Sequence, residues 1–208
     1  MPDFRLRDLT NTQWRLLLGT LIIAFGFGVF FFLEGNYEFL GYFPFLLFFI
    51  FFIAITLTET RLPNTLLGLL LLWFLMCMLG GSLHVGDSKL YDTMVWHLYG
   101  SGTELAFLRY DQLVHLLGTG LLAAAIHWSI RTRSPQTKVL WRIAFGALAA
   151  MGLGTLNEII EFSAVLILPN TGVRGYYNNE LDLVFNALGA ITAVLLIELY
   201  LRLKSTPR

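Results

Sequence analysis

The chain has 208 residues, of which 56% are hydrophobic and only 13% are charged. The charged fraction is about half that of soluble domains, so the composition is that of a protein with several membrane spans. A formal net charge of zero excludes the basic character of nucleic-acid-binding proteins. The single cysteine, Cys77, excludes both an intrachain disulfide and a cysteine-based metal site.

Six apolar segments are long enough to cross a bilayer, which takes roughly 20 residues. Because lipid offers no hydrogen-bond partner to the backbone, each segment is predicted to be an α-helix. The predicted spans are residues 14–33, 38–57, 65–84, 110–130, 139–168 and 181–203. The first span lacks a small-residue cleavage pattern and is expected to remain as an anchor. No repeat or linker divides the chain, so residues 1–208 are predicted to form one all-α membrane domain, a six-helix bundle.

The interval between the third and fourth spans is longer than an ordinary loop. Its apolar residues recur at i, i+3, i+4 and i+7, at positions Tyr91, Met94, Val95 and Leu98. This spacing predicts a short amphipathic helix that lies at the outer membrane surface. Such a helix would be either a lid over a site beneath it or a connector without further function.

The distribution of basic residues predicts the orientation in the membrane. If both termini are cytoplasmic, the predicted outside segments contain only Lys89, Arg109 and Arg174 of the 14 Lys and Arg residues. Cytoplasmic segments normally carry the excess of basic residues. The chain is therefore predicted to be a multi-pass protein of the bacterial plasma (inner) membrane, with cytoplasmic N- and C-termini.

Ionisable residues that are unusual in membrane spans lie near the predicted outer ends of four helices. Asp111 and His115 are four residues apart and therefore share one helix face. On the fifth helix, small residues at four-residue intervals lead up to Glu158, and such stripes mark close helix contacts. The sequence therefore predicts that one polar cluster faces the bundle interior, and its members are His84, Asp111, His115, Glu158, Glu161, Asp182 and Asn186.

This cluster predicts a metal or acid–base site. Imidazoles combined with carboxylates suit Zn²⁺, Mn²⁺ or Fe²⁺, whereas an all-oxygen subset suits Mg²⁺ or Ca²⁺. Glu161 and His84 are the predicted general acid or base. The alternative for the same residues is a set of interhelical hydrogen bonds that fixes the packing. The predicted metal ligands are Asp111, His115, Glu158, Asp182 and Asn186.

Four sequence blocks carry a family resemblance: LHVGDSKLYD (Leu83–Asp92), RYDQLVHLLG (Arg109–Gly118), NEIIEF (Asn157–Phe162) and NELDLVFNALGA (Asn179–Ala190). They resemble the YjdF-type family of bacterial inner-membrane proteins and, more distantly, the VanZ-like family associated with glycopeptide resistance. The resemblance covers about residues 83–193. It implies a polytopic membrane architecture and no particular reaction. Asn178 stands where the YjdF-type pattern has an acid, which weakens the case for an anionic ligand at that position.

Three functions remain open from the sequence. The first is metal-assisted chemistry on a lipid or envelope head group at the outer membrane face. The second is a non-catalytic membrane or resistance accessory protein. The third is a proton-coupled transporter, which is disfavoured because the inner halves of the helices are expected to carry no polar path. In this interpretation His127 lies on the side away from the cluster, and Glu198 pairs locally or extends to the interface. The lipid bilayer is the expected partner in all three cases.

Overall fold

Six long helices make up most of the protein. The structure is a computed structural model that describes residues 9–97, 107–168, 171, 173 and 175–205. The six helices are long and apolar enough to span a membrane, which confirms the predicted multi-pass architecture. Five predicted spans agree with the observed bounds to within three residues, and the sixth helix begins five residues earlier than predicted. The helices are α1 Asn11–Leu33, α2 Tyr37–Thr60, α3 Asn64–Ser82, α4 Tyr110–Arg133, α5 Val139–Ile167 and α6 Tyr176–Ser205.

The connection between α3 and α4 is built differently from the prediction. The prediction of an amphipathic helix is wrong, because residues 94–97 are extended and pair with residues 107–109 as antiparallel strands. Local periodicity could not reveal this pairing, since the partner strand lies about ten residues further along the chain. Leu98 lies outside the described residues. The connection contains β1 His84–Val85, β2 Ser88–Lys89, a single 3₁₀ turn Leu90–Asp92, β3 Met94–His97 and β4 Phe107–Arg109.

The six helices run between two ends of the bundle, and the two ends carry different parts of the chain. The hairpin end carries the α3–α4 connection, residues 83–109, and the termini end carries the start of α1 and the end of α6. At the termini end, α2 stops at Arg61, which has a left-handed backbone and donates its N–H to the Leu57 carbonyl. The Trp128 indole of α4 donates to the Arg61 carbonyl at 2.9 Å and so attaches this turn to the bundle.

Helices α4, α5 and α6 form the most closely packed part of the bundle, which we call the three-helix unit. Its apolar centre consists of small side chains, because only these allow membrane helices to approach closely. Helices α1, α2 and α3 pack mainly against one another and against α4. The buried centre of the three-helix unit contains Ala123, Ala147, Ala150, Ala190 and Val194.

The crossing of α4 and α6 depends on two glycines. A Cβ atom added at Gly189 would overlap the backbone carbonyl oxygen of Leu116, and one added at Gly120 would lie 3.1 Å from the Gly189 carbonyl oxygen. Backbone atoms cannot rotate away as side chains do. The distance between α4 and α6 is therefore set by the absence of a side chain at Gly189.

Gly189→Ala should destabilise the protein because the added methyl group overlaps the Leu116 carbonyl oxygen. We expect a loss of about 1–3 kcal/mol, the usual cost of overpacking. The matched control is Gly152→Ala on α5, where no atom lies within 4 Å of the added carbon. The control should keep or gain stability, since alanine favours helix by up to about 1 kcal/mol over glycine. Thermal melts of the detergent-solubilised protein measure both, and equal melting temperatures would contradict the close crossing.

Candidate metal centre

His115 lies where α4, α5 and α6 meet near the hairpin end, and its side chain is buried. Its Nε2 atom is 3.4 Å from Asp111 Oδ1 on the same helix. Its Nδ1 atom is 3.3 Å from Glu158 Oε1 on α5 and 3.2 Å from Asn186 Oδ1 on α6. Thr119 donates to the His115 backbone carbonyl at 2.7 Å. One imidazole is thus surrounded by side-chain oxygens from three helices.

Two groups of side chains at this point have the spacing that a metal ion needs, and they share His115. The first group is His115 with Asp111 and Asp182, and the second is His115 with Glu158 and Glu161. Within each group the potential ligand atoms lie within 4.8 Å of one another. Four carboxylates around one imidazole repel one another in a bundle interior unless protons or a cation compensate their charge. The arrangement is therefore suited to binding a cation.

Asp182 is the most completely satisfied of the four carboxylates. It is 0% exposed, and its Oδ1 accepts from Gln112 Nε2 at 2.8 Å while its Oδ2 accepts from Asn178 Nδ2 at 2.6 Å. The same Asn178 amide nitrogen donates to Asp111 Oδ2 at 3.2 Å. The Asn178 oxygen accepts from Arg109 at 3.2 Å. Amide donors therefore occupy both oxygens of Asp182 and join α6 to the start of α4.

Unlike Asp182, Glu158 and Asn186 each have a buried polar atom without a hydrogen bond among the described residues. Glu158 is 5% exposed, and its Oε1 has no hydrogen bond of normal geometry within the described part of the chain, although His115 Nδ1 is close. The Asn186 Nδ2 atom is likewise buried without a partner among these residues. Leaving a buried polar group unpaired costs about 1–3 kcal/mol, so such groups need an explanation. Glu158 Oε1 and Asn186 Oδ1 both lie within 3.3 Å of His115 Nδ1, so the unpaired Glu158 oxygen is an acceptor that a bound ligand could complete.

Glycine at position 154 allows α5 to approach this point. A Cβ atom added at Gly154 would lie 2.8 Å from the Asn186 amide and 2.9 Å from Thr119. One turn further along α5, Asn157 donates to Glu161 Oε1 at 2.7 Å. The close contact at Gly154 therefore places Glu158 beside His115 and Glu161 one turn closer to the hairpin end.

The structure brings together six of the seven residues that the sequence singled out. The seventh, His84, lies in the exposed strand β1 and belongs to neither metal-binding group of the described residues. Its position at the end of an apolar run suggested a place on the helix, but α3 ends at Ser82. The six residues that meet are Asp111, His115, Glu158, Glu161, Asp182 and Asn186.

Sequence reasoning missed the two amides that hold the carboxylates in place, Gln112 and Asn178. Both are buried, and together they contact Asp111, Asp182 and the Arg109 guanidinium. Helix phase offered a signal for Asn178, because it precedes Asp182 by four residues and shares its helix face. The predicted sixth span begins at residue 181, after Asn178, so the prediction does not include the shared helix face. The observed helix begins at Tyr176 and includes both residues.

Comparison with known proteins extends the architecture to almost the whole chain. Residues 13–203 match a family model described as Predicted membrane protein (DUF2238). The chain belongs to this family. No curated protein and no solved structure matches it. The matched region includes α1 and α2, which lie outside the resemblance over about residues 83–193, so the match takes in parts of all six helices and every residue of the candidate centre.

In this DUF2238 protein the candidate centre opens into a cavity of about 130 Å³. The cavity lining includes four residues of the centre, Asp111, His115, Glu161 and Asn186. Other charged side chains in the lining are Glu38, Lys89, Asp92 and Arg109, and apolar side chains of α2, α3, α4 and α5 also line the cavity. Glu158 and Asp182 are not part of the lining, so the cavity reaches the centre on the side of Asp111 and Glu161.

A second buried polar group lies at the termini end of the three-helix unit. His127 Nε2 is 3.2 Å from Glu198 Oε2, and Arg142 NH2 is 3.5 Å from the same oxygen. Arg202 contacts the other Glu198 oxygen at 3.2 Å. Glu198 thus pairs across helices as well as locally, and the expectation that the inner halves of the helices lack polar groups is wrong. His127 is at the opposite end from the candidate centre, as the sequence indicated.

Asp182→Ala should destabilise the bundle because it removes one acceptor of each buried amide, leaving Gln112 with the Asn178 oxygen and Asn178 with Asp111. We expect a loss of about 1–3 kcal/mol for each hydrogen bond lost. Glu180→Ala is the matched control, since Glu180 is exposed on the same helix. Thermal melts should show a lower melting temperature for Asp182→Ala alone. If the two variants melt alike, the amides do not hold α4 and α6 together.

Proposed function

We propose that this membrane protein is a metal-dependent enzyme that acts on the head group of a lipid or envelope component. The observation that carries the proposal is the surroundings of His115 Nδ1, where the buried, unpaired Glu158 Oε1 lies at 3.3 Å and Asn186 Oδ1 at 3.2 Å. Ionisable groups inside membrane bundles are costly and usually mark function. A divalent cation would supply the missing partner of Glu158 Oε1 and compensate the excess of carboxylates.

The proposed ligands are His115 Nδ1, Glu158 Oε1 and Asn186 Oδ1. The distances of 3.3 and 3.2 Å from the ring nitrogen to the two oxygens agree with the spacing of about 3.0–3.4 Å between ligands that each lie about 2.1 Å from one metal ion. Asp111, next to Nε2, would accept the other ring N–H and orient the imidazole, as carboxylates commonly do behind metal-binding histidines. Asp182, whose oxygens already accept from two amides, would act by positioning. A mixed nitrogen and oxygen set suits Zn²⁺, Mn²⁺ or Fe²⁺ better than Mg²⁺.

In the proposed reaction water attacks the head group, and a divalent cation held by His115, Glu158 and Asn186 would supply the Lewis acidity that activates it. Glu161, which lines the cavity, would accept a proton from the attacking water. The water oxygen would form a bond to the phosphorus or carbonyl carbon of the head group, and the leaving group would depart with the proton from Glu161. The sum is addition of one water across one bond. His84 is exposed on β1 and has no part in this scheme.

The direct test is metal binding by the purified protein. After loading with Zn²⁺ or Mn²⁺ and desalting, mass spectrometry of the elements should find about one ion per chain. His115→Ala and Glu158→Gln should lose it, whereas the exposed control Glu180→Gln should retain it. Asp111→Asn should weaken binding about 10–100-fold, as for other residues behind a ligand. Absence of stoichiometric metal in the unaltered protein would refute the enzyme and leave the packing role.

The proposed orientation puts the hairpin end outside and both termini in the cytoplasm, in keeping with the distribution of basic residues. Alkaline phosphatase is active only outside the cytoplasm. A fusion after Gly100 should therefore be active, and a fusion after Arg133 should be inactive. The reverse pattern would move the proposed chemistry to the cytoplasmic face without altering the metal centre.

A proton-coupled carrier is the second candidate, and the buried group of His127, Arg142 and Glu198 is the observation that favours it. Ionisable groups then occupy both ends of the three-helix unit. From Thr119 to His127, however, α4 rises about 12 Å through a layer of alanine and valine side chains. Proton flux into liposomes that Glu158→Gln abolishes would support the carrier, and an impermeable protein would leave the enzyme as the proposal.

A further inference from the structure

The cavity that opens onto the candidate centre continues far into the apolar part of the bundle. Leu122 lines it seven residues beyond His115 on α4, and Phe49 lines it eleven residues beyond Glu38 on α2. At 1.5 Å per helical residue, these positions lie about 10 and about 16 Å deeper along their helices. The cavity is thus a narrow slot with a polar part near the hairpin end and an apolar part at the depth of the hydrocarbon core.

The shape and lining of this slot select among the substrates that the proposed enzyme could use. Its deep walls are formed by Phe45 and Phe49 of α2, Leu122 of α4 and Leu153 of α5. A sugar or peptide head group would leave these walls facing water, at a cost of about 25 cal/mol for each Å². A hydrocarbon chain would cover them. A volume of about 130 Å³ is close to that of an apolar cavity that holds one benzene molecule, about 150 Å³, so the slot has room for a segment of one chain and not for two chains side by side.

The charges at the polar part of the slot indicate the head group. Lys89 is paired with Glu38 at 3.1 Å, so its charge is compensated. Arg109 donates to the neutral oxygen of Asn178, so that contact leaves the charge of its guanidinium uncompensated. Arginine and a divalent cation together are the usual partners of a phosphate group. The same lining also carries the carboxyl groups of Glu38, Asp92, Asp111 and Glu161, so an anionic head group would lie there only with the Arg109 guanidinium and the proposed metal ion as its partners.

We propose that the slot holds the hydrocarbon chain of a single-chain anionic lipid whose phosphate lies between Arg109 and the metal centre. This inference rests on the proposed function and names its substrate class. The chain lies against Phe45, Phe49, Leu122 and Leu153, and the bond to be cleaved lies on the Glu161 side of the centre.

Trp73 provides a reporter, because its ring lines the slot and is held in place. Its Nε1 donates to the Val114 carbonyl at 3.0 Å, and the ring packs against Gly118. Bromine atoms on a lipid chain quench tryptophan fluorescence at short range. The test uses a variant with Trp73 as its single tryptophan, in nanodiscs of unlabelled lipid, titrated with chain-brominated lysophosphatidylglycerol. Phenylalanine replaces Trp14, Trp96, Trp128 and Trp141.

We expect saturable quenching of Trp73. Leu153→Phe, which fills the slot, should weaken the apparent affinity about tenfold. The matched control Leu156→Phe, at an exposed position of the same helix, should not change it. The anionic probe should bind better than chain-brominated lysophosphatidylcholine, and Arg109→Gln should remove that preference. Quenching that rises linearly with probe concentration, or that is equal in Leu153→Phe and Leu156→Phe, would overturn the inference. Equal binding of the two probes by the unaltered slot would refute the anionic head group.

Metal loading of the same variants separates this inference from the proposed function. Leu153→Phe leaves every proposed metal ligand intact and should bind Mn²⁺ like the unaltered protein. Normal metal binding without saturable quenching would refute the lipid slot and leave the enzyme standing. Saturable quenching without metal binding would refute the enzyme and establish a lipid-binding cavity.

Discussion

The arrangement of this protein depends on the pairing of ionisable side chains that are buried within membrane-spanning helices. A carboxylate that enters the bundle must meet a donor or a cation, because neither lipid nor apolar side chains can compensate its charge. Asp182 meets this requirement through the amides of Gln112 and Asn178, and Glu158 approaches it through His115. These contacts join α4 to α5 and α6. The three helices that pair the buried ionisable groups are therefore the same three that pack most closely.

The middle of the three-helix unit obeys a different constraint. Between the two polar ends its interior consists of alanine and valine side chains, and at Gly189 the backbones of α4 and α6 are nearly in contact. On α5, small residues at four-residue intervals lead from Glu158 back to Arg142. On α6, the same interval leads from Asp182 through Asn186, Ala190 and Val194 to Glu198. The apolar middle layer holds the helices at a fixed distance, and that distance determines how closely the polar groups at both ends can approach. In the described part of the three-helix unit it lies between His115 and His127.

The sequence predicted the spans and the convergence of polar residues because both follow from the period of one helix. Length and apolarity located the helices to within a few residues, and phase directed Asp111, His115 and Glu158 inward. Pairings between distant segments could not be predicted in this way. The partner of Met94–His97 is a strand beyond residues 98–106, and the exposure of His84 follows from α3 ending two residues earlier than expected. The contacts of Gln112 and Asn178 with Asp182 could not be predicted, because neutral amides in apolar surroundings are informative only when their partners are known.

Helix α2 is less buried than the helices of the three-helix unit. This difference bears on how the candidate centre around His115, although buried, can be reached. Only 11% of the most apolar stretch of α2 is buried, against 44% for α4, so α2 gains little from a fixed position. Elements that bury little apolar surface are the ones that move at low cost. The slot lies where α2 faces α4 and α5, so its outer wall is the loosely packed helix and its inner wall belongs to the three-helix unit. The proposed hydrocarbon chain would therefore lie against α2, whereas His115, Glu158 and Asn186 belong to the three-helix unit.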